Sequence, residues 1–464
     1  MVVSSAAARV MARALVAVLM MVAGSAALAQ TTAAESPDQR VVPVVELPRG
    51  WVPQTPVRSD TPWWHLGVRA TAQAIGNPLG GQQQIINLAN AVDLISTLGL
   101  GIGVKPLRTE SDRWTLNTHL TGYVETGAFV QQLGLVNADF QPQNAAQSPS
   151  GVWMQSLWIE RIGAPGEWLQ SLKVGDVTIN PTFFTPPAGM VYVSNVFNGN
   201  SGIQTTGYPT GPVNGLGALA TLVFGRSRFD VGAFQLSSQR ADPNWLGFSQ
   251  ALGPQDGLLQ VLQWQTSLGP NQQPGCLRDR PSPREQSRFR TRTGCANDRL
   301  LQNQLPDAML RLGLYSGSWS FAGVNGPSLN GLAPAPGLSG GSRNSGTYGY
   351  LAVPLASRSR LWLNGSWGLD PAVNPFPGFL AIGLVQQGLL RSRPQDLLIV
   401  GVANAWASPA FTPAQGNQGF IELGYQLQLS RRLSLQPFSQ LLLNPGGATA
   451  PSVLTFGVQV DWSL

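Results

Sequence analysis

The sequence predicts an all-β chain: a transmembrane antiparallel β-barrel of roughly 16 strands, with short periplasmic turns and long external loops. Three observations predict it. The chain ends on a strand whose one face is wholly apolar, Leu454, Phe456, Val458, Val460, Trp462 and Leu464, against Thr455, Gly457, Gln459, Asp461 and Ser463. Only 11% of residues are charged, with 53 Gly, 36 Pro and 14 Trp, where a large soluble domain carries about 25% charged residues. Segments of the same alternation recur between turn signals from Trp63 to Leu464, room for roughly 16 strands at about 10 residues each plus connections. Successive strand side chains point to opposite faces. A soluble sheet would turn its oily face to a dry core, whereas a barrel in lipid turns it outward around a wet lumen. Low charge and abundant aromatics favour the second.

Residues 1–29 read as a secretory signal. Arg9 and Arg13 form the positive start, Ala14 to Ala26 is almost entirely apolar, and Ala27-Leu28-Ala29 is a cleavage site that leaves Gln30 first. The apolar run, roughly 15 residues, is short for a spanning helix, which needs about 20. Loss of the two arginines lowers the formal charge from +6 to +4, too little to imply a nucleic-acid partner. Residues 30–62 are Pro-rich and without period, a leader with no core of its own. The barrel domain is expected over 63–464.

Within it, Trp64, Leu66, Val68 and Ala70 alternate with His65, Gly67 and Arg69, up to the turn signal Gly76-Asn77-Pro78-Leu79-Gly80-Gly81. Ile85 to Val104 comes closest to an apolar span, but Asn87, Asn90, Asp93, Ser96 and Thr97 break it. Further strands are expected where Leu116, Thr118 and Leu120 alternate with Asn117, His119 and Thr121, and where Leu157 and Ile159 flank Trp158 and Glu160. Leu172 and Val174 alternate with Lys173 and Gly175, Leu310 to Leu314 with Arg311 and Gly313, and Leu361 and Leu363 with Trp362 and Asn364. Ile421 to Leu429 alternates with Glu422, Gly424, Gln426 and Gln428, then turns tightly at Ser430-Arg431-Arg432 into Leu433. Long Gly/Pro/Asn-rich connections are expected at Phe140 to Ser150, Thr185 to Asn214, Asn271 to Pro306 and Asn325 to Ser345.

Cys276 and Cys295, 19 positions apart in an exported chain, read as one disulfide, worth roughly 3 kcal/mol in the chain-entropy model. The bracketed loop holds Arg278, Arg280, Arg284, Arg288, Arg290 and Arg292 against Asp279 and Glu285. Two readings stay open: a basic external loop that draws anions or lipopolysaccharide phosphates, and a solvated loop fixed by its disulfide. His65 and His119 are the only histidines, so no metal site or cofactor is expected. No nucleophile elbow or phosphate-binding lysine loop stands in the chain. Glu160 and Asp176 could in principle serve as a carboxylate pair, but on a barrel wall they read as pore charges. Strand phase nominates Trp158, Glu160, Lys173, Arg226, Arg228, Arg311, Trp362, Asn364 and Glu422 as inward candidates, and Trp114, Trp406 and Trp462 as interfacial aromatics.

Several stretches resemble, in order, the carbohydrate-selective porin (OprB-type) family. They are Gly76 to Gly81, Asp93-Leu94 with Leu98-Gly99, Leu157-Trp158-Ile159-Glu160-Arg161 and Lys173-Val174-Gly175-Asp176. Val196-Phe197-Asn198-Gly199-Asn200-Ser201-Gly202 with Tyr208-Pro209, then Glu422 to Gln428, Gln436-Pro437 and Asn444-Pro445-Gly446-Gly447, continue the series. The chain departs from the family at Asn180-Pro181-Thr182-Phe183, where an acidic pair is usual, and at Leu464, where an aromatic is usual. The resemblance adds Asp176 and Asn198 to the candidates. It implies an outer-membrane porin passing small sugars passively, set in lipid and lipopolysaccharide, with a homotrimer left open. A general or anion-preferring pore is the alternative within transport. A secreted soluble carbohydrate-active or carbohydrate-binding β protein is the alternative outside it.

Overall fold

In the computed structural model, the described residues are 64–99, 113–125, 150–163, 167–177, 179, 182–198, 215–236, 257–268, 308–321, 341–356, 358–374, 376–410, 416–430, 432–445 and 451–463. The signal segment 1–29, the leader 30–62 and both cysteines lie outside them. Sixteen strands follow one another: β1 (Trp64–Leu79), β2 (Ile86–Gly99), β3 (Arg113–Glu125), β4 (Gly151–Ile162), β5 (Leu169–Val177), β6 (Gly215–Phe224), β7 (Ser227–Leu236) and β8 (Gly257–Ser267). Then come β9 (Met309–Phe321), β10 (Gly341–Ala356), β11 (Ser359–Gly368), β12 (Gly378–Gln387), β13 (Leu397–Trp406), β14 (Gln418–Ser430), β15 (Leu433–Leu443) and β16 (Val453–Ser463). Each pairs with its sequence neighbours, and β1 pairs antiparallel with β16 to close the barrel. Closure leaves no unpaired edge, which a sheet in lipid requires.

The pleat decides which face is which. On β16, Thr455 and Gln459 are buried at 1% and 7% exposure while Phe456 and Trp462 stand 52% and 37% exposed. On β2, Asn87, Asp93 and Thr97 are buried while Leu88, Val92 and Leu94 are exposed. The oily face therefore looks outward and the polar face inward, the reverse of a soluble sheet. A register shift between β3 and β4 at His119/Leu120 brings Gln155 and Ser156 inward in succession, after which Trp158 and Glu160 continue the inward row. Among the described residues no helix is long and apolar enough to cross a membrane.

Both chain ends of the barrel lie on one rim, with the tight connections β6–β7, β10–β11 and β14–β15. The connections 126–150, 178–214, 237–256 and 322–340 open on the opposite rim. This matches short periplasmic turns and longer external loops. One expectation is corrected. The connection 268–308, which carries Cys276 and Cys295, follows the even-numbered β8 and so leaves on the rim of the chain ends, not on the external rim. Its closure begins with a hydrogen bond from Leu268 N to the Ala308 carbonyl, 2.9 Å.

A candidate pore beside an inward-folded segment

The connection between β5 and β6 does not stay at the rim. Residues 182–198 are almost wholly buried, with Phe183, Tyr192, Val193 and Phe197 at 0–1% exposure. Phe184 adopts a positive φ of 63°, and the Thr185 N–H reaches back to the Phe183 carbonyl at 2.7 Å. Proline then opens a short 3-10 turn, Pro187–Val191. Ser194 starts a single helical turn, α1 (Asn195–Asn198), its hydroxyl accepting from Val196 N at 3.0 Å.

Two sets of barrel residues seat this segment. On the β7–β10 side, Phe183 packs edge-on to Phe234, and Phe184 lies between Tyr315 and Tyr348. Gln263 donates to the Thr182 carbonyl at 3.1 Å and Arg311 to the Thr185 carbonyl at 2.9 Å. On the β10–β15 side, the Tyr350 hydroxyl accepts from Ala188 N at 3.2 Å, and Gln436 donates to the Val191 carbonyl at 3.0 Å. The Tyr192 hydroxyl donates to the Val400 carbonyl at 2.7 Å and accepts from the Trp362 indole at 3.3 Å. Gly383 and Gly401 pair directly across β12 and β13 beneath these rings. A Cβ at Gly401 would come within 2.7 Å of the Phe197 ring, and one at Gly383 within 2.5 Å of Trp362 and the Tyr192 hydroxyl. The glycines make a flat seat that any larger residue would fill.

Glu422 holds the centre. Its carboxylate accepts from Val193 N at 2.7 Å, Ser194 N at 2.9 Å and the Gln440 side chain at 3.1 Å. A carboxylate taking two consecutive backbone N–H groups is a charge-assisted clamp.

The other wall, β16 and β1 to β5, carries a polar ladder. Asp461 accepts from Arg69 at 2.9 Å, Thr71 at 2.7 Å and Gln459 at 2.8 Å. Asp93 lies 2.9 Å from His119 and accepts from Thr121 at 2.6 Å. Thr97, Asn117 and Thr115 continue it. Glu160 accepts from Ser171 at 2.7 Å, and the Lys173 ammonium sits 4.6 Å above the Trp158 ring. The side chains of Arg69, Asp461, His119 and Asp93 keep 16%, 18%, 20% and 12% exposure. Around these four the wall stays open, whereas Thr115 and Glu160 are fully buried, Lys173 is 6% exposed and Trp158 packs against the cluster that holds Phe183 and Phe184.

The sequence candidates thus fall into groups. Trp158, Glu160 and Lys173 come together on β4 and β5, with Glu160 fully buried and Trp158 packed against the cluster that holds Phe183 and Phe184. Arg311, Trp362 and Glu422 hold the segment, and Asn364 is buried at 4% exposure. Arg228 pairs with buried Asp230 at 2.8 Å, beside the segment's first half. Arg226 is exposed in the β6–β7 turn, and Asp176 is buried beside Gly175, whose φ is 138°. Asn198 belongs to the segment itself, donating to the Tyr192 carbonyl at 2.7 Å. Arg69, Asp93, His119 and Asp461 were not nominated, although each occupies the wet phase of an alternating stretch. Trp406 and Trp462 face outward, and Trp367 lies beside Trp406 with ring centroids 6.4 Å apart. Among the described residues no group of His, Cys, Asp and Glu could hold a metal ion.

Comparison with known proteins adds a sequence match and a structural one. Residues 342–464, from β10 to the end, match the family described as carbohydrate-selective porin, OprB family. The high-pH structure of Pseudomonas putida OprB is similar at TM-score 0.68 and 18% identity, over 88% of this chain and 96% of that one. The low-pH structure of the same protein gives 0.45 at 13%, over 88% and 95%. A loop-deletion mutant of the Vibrio cholerae outer membrane protein OmpT gives 0.47 at 9%, over 86% and 99%. No curated protein matches the chain. The first structural likeness shows the fold, and the family match joins it to the order of motifs along the chain: the chain resembles the carbohydrate-selective porins.

Proposed function

We propose that this OprB-like barrel is an outer-membrane porin through which small sugars diffuse passively, in the envelope of a Gram-negative-type cell, exported by a cleaved signal peptide. One observation carries the reading. The sheet is inverted, oily outward and polar inward, and the inward-folded segment covers one lumen wall while leaving the wall of Arg69, Asp93, His119 and Asp461 wet. A soluble lectin or glycosidase would bury the terminal Phe456 and Trp462, which here are exposed.

The solute path runs between the segment and the wet wall. A sugar offers hydroxyls to charged and amide groups and C–H faces to aromatic rings. Asp461, Arg69, His119 and Asp93 supply the first kind of contact along the open wall, and Trp158, only partly buried, supplies the second. Because these groups already satisfy one another, a sugar exchanges hydrogen bonds rather than gaining unopposed ones. Binding is then weak enough for release, as conduction requires. An anion-preferring pore draws no support from this wall, where Arg69 and His119 stand paired with Asp461 and Asp93. Outer-membrane lipid and lipopolysaccharide surround the barrel in this reading, with a homotrimer as one assembly. Osmotic swelling of proteoliposomes tests the transport claim: neutral mono- and disaccharides should cause swelling at rates that fall with size, and none with either would end it.

A further inference from the structure

The described turns of the two rims differ in charge. On the external rim, residues 80–85, 369–374, 407–410 and 444–445 hold a single charged residue, Asp370. On the rim of the chain ends, Arg226, Arg358, Arg391 and Arg432 stand exposed in four separate turns. The carboxylates among those turns are engaged: Glu167 pairs with Arg161 at 2.6 Å, and Asp396 pairs with Arg393.

Each exposed arginine also follows an exposed apolar side chain at short range. Phe224 (53%) precedes Arg226, Leu355 (45%) precedes Arg358, Leu390 (51%) precedes Arg391 and Leu429 (52%) precedes Arg432. Trp168 stacks on Phe224 with centroids 6.4 Å apart, and Trp462 pairs with Leu433 next to Arg432. Aromatic side chains at a strand end mark the depth where acyl chains give way to headgroups. The arginines lie one to three residues beyond that step, at the level of lipid phosphates.

We propose that this rim grips anionic phospholipid headgroups of the periplasmic leaflet through Arg226, Arg358, Arg391 and Arg432. A guanidinium presents paired N–H donors that match a phosphate's oxygens, and a basic residue at a charged membrane surface favours anionic lipid. These four guanidiniums thus serve anchorage at the inner surface rather than selection in the pore. The assignment rests on the barrel spanning an outer membrane with its short turns inward, and it is independent of which solute passes.

Quenching of the barrel's tryptophans by brominated lipids measures it. The protein is reconstituted in phosphatidylcholine vesicles with brominated phosphatidylglycerol or brominated phosphatidylcholine as quencher. The wild type should prefer phosphatidylglycerol, by about fivefold per engaged arginine at low salt, and lose the preference in about 1 M salt, where charges are screened beyond about 3 Å. The variant R226Q/R358Q/R391Q/R432Q should show none, while the corresponding four-lysine variant, which guards against misfolding, should keep part of it. An equal preference in wild type and glutamine variant overturns the proposal, as does no preference in the wild type. Inorganic phosphate that abolishes the preference at matched ionic strength would reassign the rim to free phosphate. Polyglutamate bound to barrels in pure phosphatidylcholine, without lipid preference, would reassign it to an acidic macromolecule. Sugar-driven swelling of the same vesicles should be unchanged in the variants, so failure here and failure of the porin reading are separable.

Discussion

Replacing Glu422 by alanine removes the one carboxylate that clamps the inward-folded segment. It leaves Val193 N and Ser194 N, now bonded at 2.7 and 2.9 Å, buried without acceptors. An orphaned buried donor costs about 1–3 kcal/mol, so the two cost about 2–6 kcal/mol, before Gln440 is counted. Each 1.4 kcal/mol is about a tenfold change in an equilibrium constant. Even the lower figure favours departure of the segment from its seat by about thirtyfold. The sixteen strand ladders are untouched, so the barrel should still form. Glu422→Ala should therefore raise single-channel conductance, increase open-channel current noise and flatten the dependence of swelling rate on sugar size. Glu422→Gln keeps one acceptor oxygen and should fall between. A folded Glu422→Ala barrel with wild-type conductance and noise would refute the assignment of this residue as the clamp.

Other expectations follow from the same geometry. Gly401→Val places side-chain atoms where Phe197 and Tyr192 now lie, and should destabilise by about 1–3 kcal/mol, read by thermal unfolding; no loss would show the seat to be loose. Leu312→Arg, on the outward face at 50% exposure, should cost up to about 2–4 kcal/mol if it sits near the bilayer midplane. The inward Gln459→Arg should spare stability and shift ion selectivity toward anions, and equal unfolding losses in both would contradict the assigned faces. Asp461→Asn removes the carboxylate that Arg69 faces, and should move the reversal potential in a KCl gradient toward anions. An unmoved potential would remove this ladder from the conducting path.

Legibility in the sequence followed the chemistry of the two faces. Where the inward side chains are polar, alternation is sharp, and β1, β3, β4, β14 and the terminal strand can be read directly from residues such as Thr455 and Phe456. On several strands that pack against the inward segment, both faces are apolar over part of their length. Leu219, Phe234, Leu259 and Val261 face Phe183 and Phe184, and Leu397, Ile399 and Ala403 line the seat of Tyr192 and Phe197. Alternation fades there, so β6 to β8, β12 and β13 could not be counted. Uncounted strands lose the parity of connections, which is why the Cys276 loop was expected on the wrong rim. The segment itself was invisible for a related reason. Its aromatics have no period, and their partners are glycines and rings some 160 to 230 positions away, as with Ala188 to Tyr350 and Val193 to Glu422. Strand phase points Glu422 inward, and the structure has it fully buried. What the phase could not supply was the pair of backbone N–H groups waiting there.

Neighbouring cysteines on β2 test the central claim most directly. In a background with Cys276 and Cys295 replaced by serine, Asp93→Cys and Leu94→Cys are reconstituted in planar bilayers and treated with a charged, membrane-impermeant thiol reagent. The cysteine at position 93 should react and lower the conductance, while that at 94, on the outward face where Leu94 is 38% exposed, should be covered by acyl chains and stay unmodified. Rapid reaction at 94 with protection at 93 would mean that the oily face looks into water, and the barrel could not be the porin described.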